Sequence, residues 1–159
     1  MLQDPRKSCE KDTMKKALLP FLLGIFSFAG CALSGTAQIG VVDSKLKPCP
    51  DSYNCVSSQS PGDRHRMEAI PYDTTAKEAK GKLCDIIKGM GRSTIVSEKD
   101  DYIHAEYRSA IFKFVDDVEF YFDDTRRIIH FRSASRVGYY DFGVNRKRME
   151  AIRGKFLTP

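Results

Sequence analysis

The sequence predicts an α+β domain, an antiparallel sheet of about four strands with helices packed on one face. Three observations carry that prediction. Apolar residues recur at helical spacing over residues 75–90, strict alternation replaces them between residues 94 and 135, and helical spacing returns after Asn145. The chain has 159 residues, of which 42% are hydrophobic and 30% charged. That suffices for one domain and excludes a disordered, collagen-like or polytopic membrane protein.

The first thirty residues stand apart from this domain. Met14-Lys15-Lys16 is a short basic stretch, Ala17 to Phe28 is almost continuously apolar, and Ala29-Gly30 precede Cys31. An apolar run of this length fits a signal peptide and is too short to span a bilayer as a helix. Small residues before a cysteine resemble the lipobox of bacterial lipoproteins, with Phe28 standing where Leu is usual. The resemblance implies cleavage before Cys31 and a lipid on its thiol. An unlipidated signal peptide or an uncleaved anchor is the alternative. Met14 opens a complete signal by itself, so translation is expected to start there. Residues 1–30 are thus expected to be leader, 31–46 a lipidated N-terminus and tether, and 47–159 the globular domain. The expected location is the cell envelope. If the cell is Gram-negative, Ala32 after the lipidated cysteine favours the outer membrane, facing the periplasm.

The tether reading rests on residues 32–47, which are small and polar with no sustained period. Residues 59–63, QSPGD, form a loop by their Pro-Gly pair. The helix over residues 75–90 places Ala76, Ala79, Leu83, Ile86, Ile87 and Met90 on one face. Thr75 and Glu78 have capping-box spacing, and Gly91 sits where a C-terminal glycine belongs. Lys77, Lys80, Lys82 and Lys88 make the solvated face.

A short strand is expected at residues 94–97. At residues 102–109, Ile103, Ala105 and Tyr107 oppose His104, Glu106 and Arg108. At 118–123, Val118, Phe120 and Phe122 oppose Glu119, Tyr121 and Asp123. At 128–135, Ile129, Phe131, Ser133 and Ser135 oppose Ile128, His130, Arg132 and Ala134. The aromatic residues Tyr107, Phe112, Phe114, Phe120, Phe122 and Phe131 are expected to fill the core. Asn145 is expected to cap a last helix with Met149, Ile152 and Phe156 on one side.

Cys49 and Cys55 bracket CPDSYNC, a loop rich in turn formers. In an oxidising compartment they can bridge, and closing so small a loop contributes about 2 kcal/mol. Two free thiols or half of a metal site are the alternatives, although five intervening residues fit zinc poorly. Cys84 is expected to be a buried, inert thiol.

Two stretches together resemble a known family. They are PCPDSYNCVSS at residues 48–58 and, from Glu106 to Phe156, the segments FVDDVEF, RSASRVGYYDFGVNR and MEAIRGKF. They resemble the domain of unknown function 1499 family of bacteria and plant plastids, over most of the chain from Lys47 on. The usual CPDSPNC carries Tyr53 here. The resemblance implies no activity, since the family has none assigned.

The densest polar segment combines Arg132, Ser133, Ser135 and Arg136 with Asp141, Asn145 and Arg146. Alternation sets Arg132 on one face and Ser133 and Ser135 on the other. Arg136, Arg146 and the free N–H groups of the last helix can form a pocket for a carboxylate or phosphate. The competing structural reading pairs Asp141 with Arg136 or Arg146. A hydrolase or transferase would use His65 with Ser57 or Ser58, but no Gly-x-Ser-x-Gly elbow is present. The acidic pairs lack EF-hand spacing, so no metal and no cofactor are expected. The net charge is +5, and the first thirty residues hold five basic and three acidic side chains, which leaves +3. Nucleic acid is therefore not an expected partner. A membrane, through the lipid, and an unknown protein or small anionic ligand are. The expected function is a non-enzymatic binding or interaction module, whose working surface joins the CPDSYNC loop and Ser57-Ser58 to the RSASR and DFGVNR segments.

Overall fold

The computed structural model describes residues 39–158. The proposed leader and Cys31 lie outside the described residues. The elements follow in the order β1 (Val41–Val42), β2 (Lys45–Leu46), β3 (Cys55–Ser57), β4 (Ile70–Pro71), α1 (Ala76–Gly89), β5 (Ser93–Glu98), β6 (Tyr102–Arg108), β7 (Val115–Asp123), β8 (Ile128–Ser135) and α2 (Val144–Leu157). Strands β1 and β2 form a separate hairpin. The main sheet runs β3-β8-β7-β6-β5, and β4 pairs beside β3 along the same edge of β8. Every pairing between these strands is antiparallel.

The α+β class holds, with six strands in the main sheet rather than about four. The extra strands β3 and β4 have three and two residues, too short for period-2 alternation to register. The stretch expected to be only tether also ends in structure. Its residues 41–46 turn back as a hairpin at Asp43 and Ser44, both in left-handed backbone.

Helix α1 begins as its sequence dictates. The Thr75 hydroxyl accepts the Glu78 N–H, and the Glu78 carboxylate accepts the Thr75 N–H. Met90 is its C-cap, in extended conformation, so Gly91 follows the cap as the sequence implies, although without the left-handed backbone a C-terminal glycine commonly adopts. Helix α2 starts two residues earlier than an Asn145 cap implies. Gly143 is its N-cap, at φ 74, a conformation that glycine adopts without strain.

Both helices cover one face of the sheet. Leu83, Ile87, Met149, Ile152 and Phe156 pack there on Ile103, Val118, Phe120, Ile129 and Phe131. Cys84 is buried beside them, and burial pushes its thiol pKa up, with Glu98 adding to the shift. Phe112 and Phe114 do not join this core. They lie in the β6–β7 loop, 74% and 52% exposed.

Candidate functional site

The two family-like stretches are sewn together by backbone. Strand β3, which ends the CPDSYNC loop, pairs with the RSAS part of β8 at Cys55–Ala134, Val56–Ser133 and Ser57–Arg132. Cys49 and Cys55 are bridged, with Cα atoms 5.7 Å apart. The Tyr53 N–H donates to Tyr139 O at 2.8 Å, and the Ser135 N–H donates to Asn54 O at 3.0 Å. Asn145 is the hub of this seam and is fully buried. Its Oδ1 accepts from the Ser133 hydroxyl and from Arg148 Nη1. Its Nδ2 donates to Asn54 O, Ser135 Oγ and Asp141 Oδ2. Asn145, Ser133 and Ser135 therefore hold the fold together instead of lining an open pocket.

Asp141 pairs with neither Arg136 nor Arg146. Its carboxylate accepts the Gly143 N–H at 2.9 Å and the Asn145 N–H at 2.8 Å. It thus occupies donors at the start of α2 that the sequence left available for an anion.

The two arginines are not brought together. Arg136 turns to the sheet face away from the helices, where it donates to both oxygens of Asp117 and to Glu106. Arg146 donates to the Arg64 and Arg66 carbonyls at 3.0 and 3.2 Å. It has no carboxylate partner among the described residues. A small cleft of about 60 Å³ opens beside it, lined by Tyr53, Arg64, His65, Asp141, Gly143 and neighbouring backbone. That volume admits a carboxylate or a few waters, not an organic substrate. Arg64 lies 4.5 Å over the Tyr53 ring and pairs with Asp51 at 2.7 Å.

The His65 ring is hydrogen-bonded to neither serine expected to work with it. Its Nδ1 donates to Cys55 O at 2.9 Å, and Ser57 Oγ accepts the Gln59 N–H at 3.1 Å. Ser58 meets a different histidine. Its Oγ accepts the Phe131 N–H at 2.9 Å, and lies 3.2 Å from His130 Nδ1 and 3.5 Å from Phe131 O. Burial lowers the His130 pKa, and Arg126 lowers it further. His130 Nε2 is buried without a hydrogen-bond partner among the described residues, so no carboxylate orients this pair as a catalytic triad requires.

Alternation placed Arg132 correctly, on the face away from Ser133. It missed that this second face is also buried. Tyr102, His104, Asp117, Glu119 and Arg132 are all less than 8% exposed. The β1–β2 hairpin lies against β7 and β8, and the Gly40 N–H donates to Glu119 Oε1 at 2.6 Å. Gln59 fastens the hairpin from the sheet edge, accepting the Leu46 N–H and donating to Ser44 O. Beneath it, Glu119 also accepts from Arg132 at 3.2 Å and from the Tyr102 hydroxyl at 2.9 Å. Burial, reinforced by Glu119, drives the Tyr102 phenol pKa far up. His104 Nε2 donates to Asp117 at 2.7 Å. Burial alone would raise the Asp117 pKa, but the hydrogen bonds from His104 and Arg136 outweigh it and hold the carboxyl at about 2. Donating to Asp117 and Glu106 pushes the Arg136 pKa up against desolvation.

Other acidic residues are similarly engaged. Asp116 pairs with Arg148, Asp123 with Arg126, and Asp124 accepts from Tyr72. Among the described residues, no group of three or more His, Cys, Asp or Glu side chains is arranged to hold a metal ion.

These features define a small α+β domain with a disulfide-closed loop sewn to its last strand and helix. The chain belongs to the family described as protein of unknown function (DUF1499), whose model matches residues 45–156. No curated protein and no solved structure matches the chain.

Proposed function

We propose that this chain is a lipoprotein of the cell envelope, anchored through Cys31, and that its domain is a non-enzymatic binding module for a small anionic group. The anchor reading rests on the leader pattern that ends in Ala29-Gly30-Cys31. The Cys49–Cys55 bridge supports it, because such bonds persist in oxidising compartments. If the cell is Gram-negative, Ala32 directs the protein to the outer membrane. The observation that carries the binding reading is the convergence of Arg146, His65 and Arg64 on one cleft. Asp141, the acidic residue lining that cleft, is occupied by the backbone of α2. An anion there would gain charge-assisted hydrogen bonds. An enzymatic reading would run through Ser58 and His130 instead of His65. It has less support, since that pair lacks an orienting carboxylate.

Equilibrium dialysis of the detergent-solubilised chain against inorganic phosphate tests the cleft. One saturable site is expected, weakened about tenfold or more in Arg146→Ala, the scale of a lost charge-assisted hydrogen bond. Arg126→Ala, at an exposed pair remote in sequence, should leave it unchanged. No saturable binding, or equal binding by Arg146→Ala, removes the cleft from the account. For the anchor, Cys31→Ser should release the protein from membranes, and unchanged retention overturns lipid tethering.

A further inference from the structure

One end of the sheet is apolar where it meets solvent. The β6–β7 loop and the β8–α2 loop both lie there, because Arg108 pairs with Val115 and Asp116 pairs with Ser135. Ile111 and Phe142 are each 80% exposed. Their loops carry rings that touch one another and not the core. Phe112 stacks on Phe114 with centroids 5.5 Å apart, Phe142 meets Tyr140 edge-on at 5.1 Å, and Tyr139 meets Tyr53 at 5.5 Å.

Backbone and charge single out the same end. Lys113 and Phe142 both sit in left-handed backbone at φ 56, which disfavours any residue with a Cβ. Lys113 stands between the stacked phenylalanines. Arg92 is exposed at this end as well, since its carbonyl accepts the Arg108 N–H. The acidic residue of these two loops, Asp141, is turned inward, where it accepts the Gly143 and Asn145 N–H groups at the start of α2.

We propose that this end of the sheet seats on the bilayer surface. Ile111, Phe112, Phe114, Tyr139, Tyr140 and Phe142 enter the interfacial region, and Lys113 and Arg92 face lipid phosphates. The inference rests on the anchor reading at Cys31, and the length of the tether supports it. Gly40 is held at Glu119, four residues from the start of β7, which is about 13 Å at strand rise. The nine-residue step from Cys31 to Gly40 spans at most about 30 Å. The anchor therefore keeps the domain close to the bilayer; because Glu119 is the middle residue of β7, the tether reaches either end of the sheet, and the exposed rings single out this one. The rings stand on separate loop tips. A fluid planar surface accepts such tips, whereas the core of a protein interface needs close packing.

The chain contains no Trp, so a single introduced indole reports its own surroundings. Phe112→Trp, Phe142→Trp and, at the opposite end, Thr125→Trp each replace an exposed side chain. The lipidated full chain would be mixed with vesicles of phosphatidylcholine and phosphatidylglycerol brominated on their acyl chains. Emission from Phe112→Trp and Phe142→Trp is expected to fall about twofold and shift to the blue, with Thr125→Trp unchanged. Sedimentation of the vesicles reads the anchor separately. Chain that sediments while both tip indoles stay unquenched overturns the tip contact and leaves the anchor standing. Chain that stays in the supernatant overturns both. Equal quenching of Thr125→Trp overturns the orientation. Unquenched tips that crosslink to protein in intact envelopes assign this end to a protein partner instead.

Discussion

On one face of the sheet, Ile103, Val118, Phe120 and Phe131 lie beneath two helices. On the other, Tyr102, His104, Asp117, Glu119 and Arg132 are buried on the face where a hairpin of two-residue strands meets β7 and β8. The same strands supply both faces, and burial is nearly complete on each. The apolar face asks only for volume and close packing, which long helices provide. The charged face asks for partners at fixed positions, and the sheet register provides them: Glu119 opposes Arg132, and Asp117 receives His104 and Arg136. A small cover is then enough, because the charges are neutralised within the sheet before the hairpin arrives. Burying them still costs desolvation, so this face need not add to stability as the apolar face does.

The largest expected effect breaks the apolar side. Phe120→Ala removes a fully buried ring and should cost about 3–5 kcal/mol by urea unfolding. A loss under about 1 kcal/mol would mean that the helices do not close on this ring. Next comes Glu119→Ala, expected to cost about 3 kcal/mol, because Arg132 would keep a buried charge without its partner. The double replacement Glu119→Leu with Arg132→Met sharpens the comparison. It should recover most of that loss, but not all, since the Tyr102 hydroxyl and the Gly40 N–H lose their acceptor. Full recovery would show that the hairpin gains nothing from the charges beneath it.

How much of this was legible follows from which signal each feature leaves. Period-2 alternation gave β6 and β8 nearly to the residue and sorted Arg132 from Ser133. It did not give the burial of the Arg132 face, because alternation of polar and apolar residues normally marks a solvated side. Over β7 and β8 the hairpin of residues 41–46 lies on this face, and those residues carry no period of their own. Phe112 and Phe114 misled for a related reason. They continue the aromatic spacing of the strands but fall in a loop, past the end of the ladder. At the candidate site, proximity of the CPDSYNC and RSASR segments was readable. The partners of Asp141, His65 and Arg136 were not, since they depend on which side chains the register and the α2 cap bring within reach.

The smallest effect separates the faces by pH. The Asp117 carboxyl titrates near 3.8 when free and at about 2 in the fold, where the bonds from His104 and Arg136 outweigh its burial. A carboxyl whose pKa is lowered on folding binds protons more readily in the unfolded chain. Its contribution is therefore complete above about pH 4 and is lost as pH falls towards about 2, a change on the order of 2 kcal/mol. Urea unfolding across that window should show the loss in the parent and a flatter profile in Asp117→Asn. The deficit of Phe120→Ala should stay level throughout, because its ring is independent of this carboxylate. If Asp117→Asn keeps the slope of the parent, the acid sensitivity belongs to another carboxylate. The charged face would then be held by the Glu119–Arg132 pair and not by the bonds to Asp117.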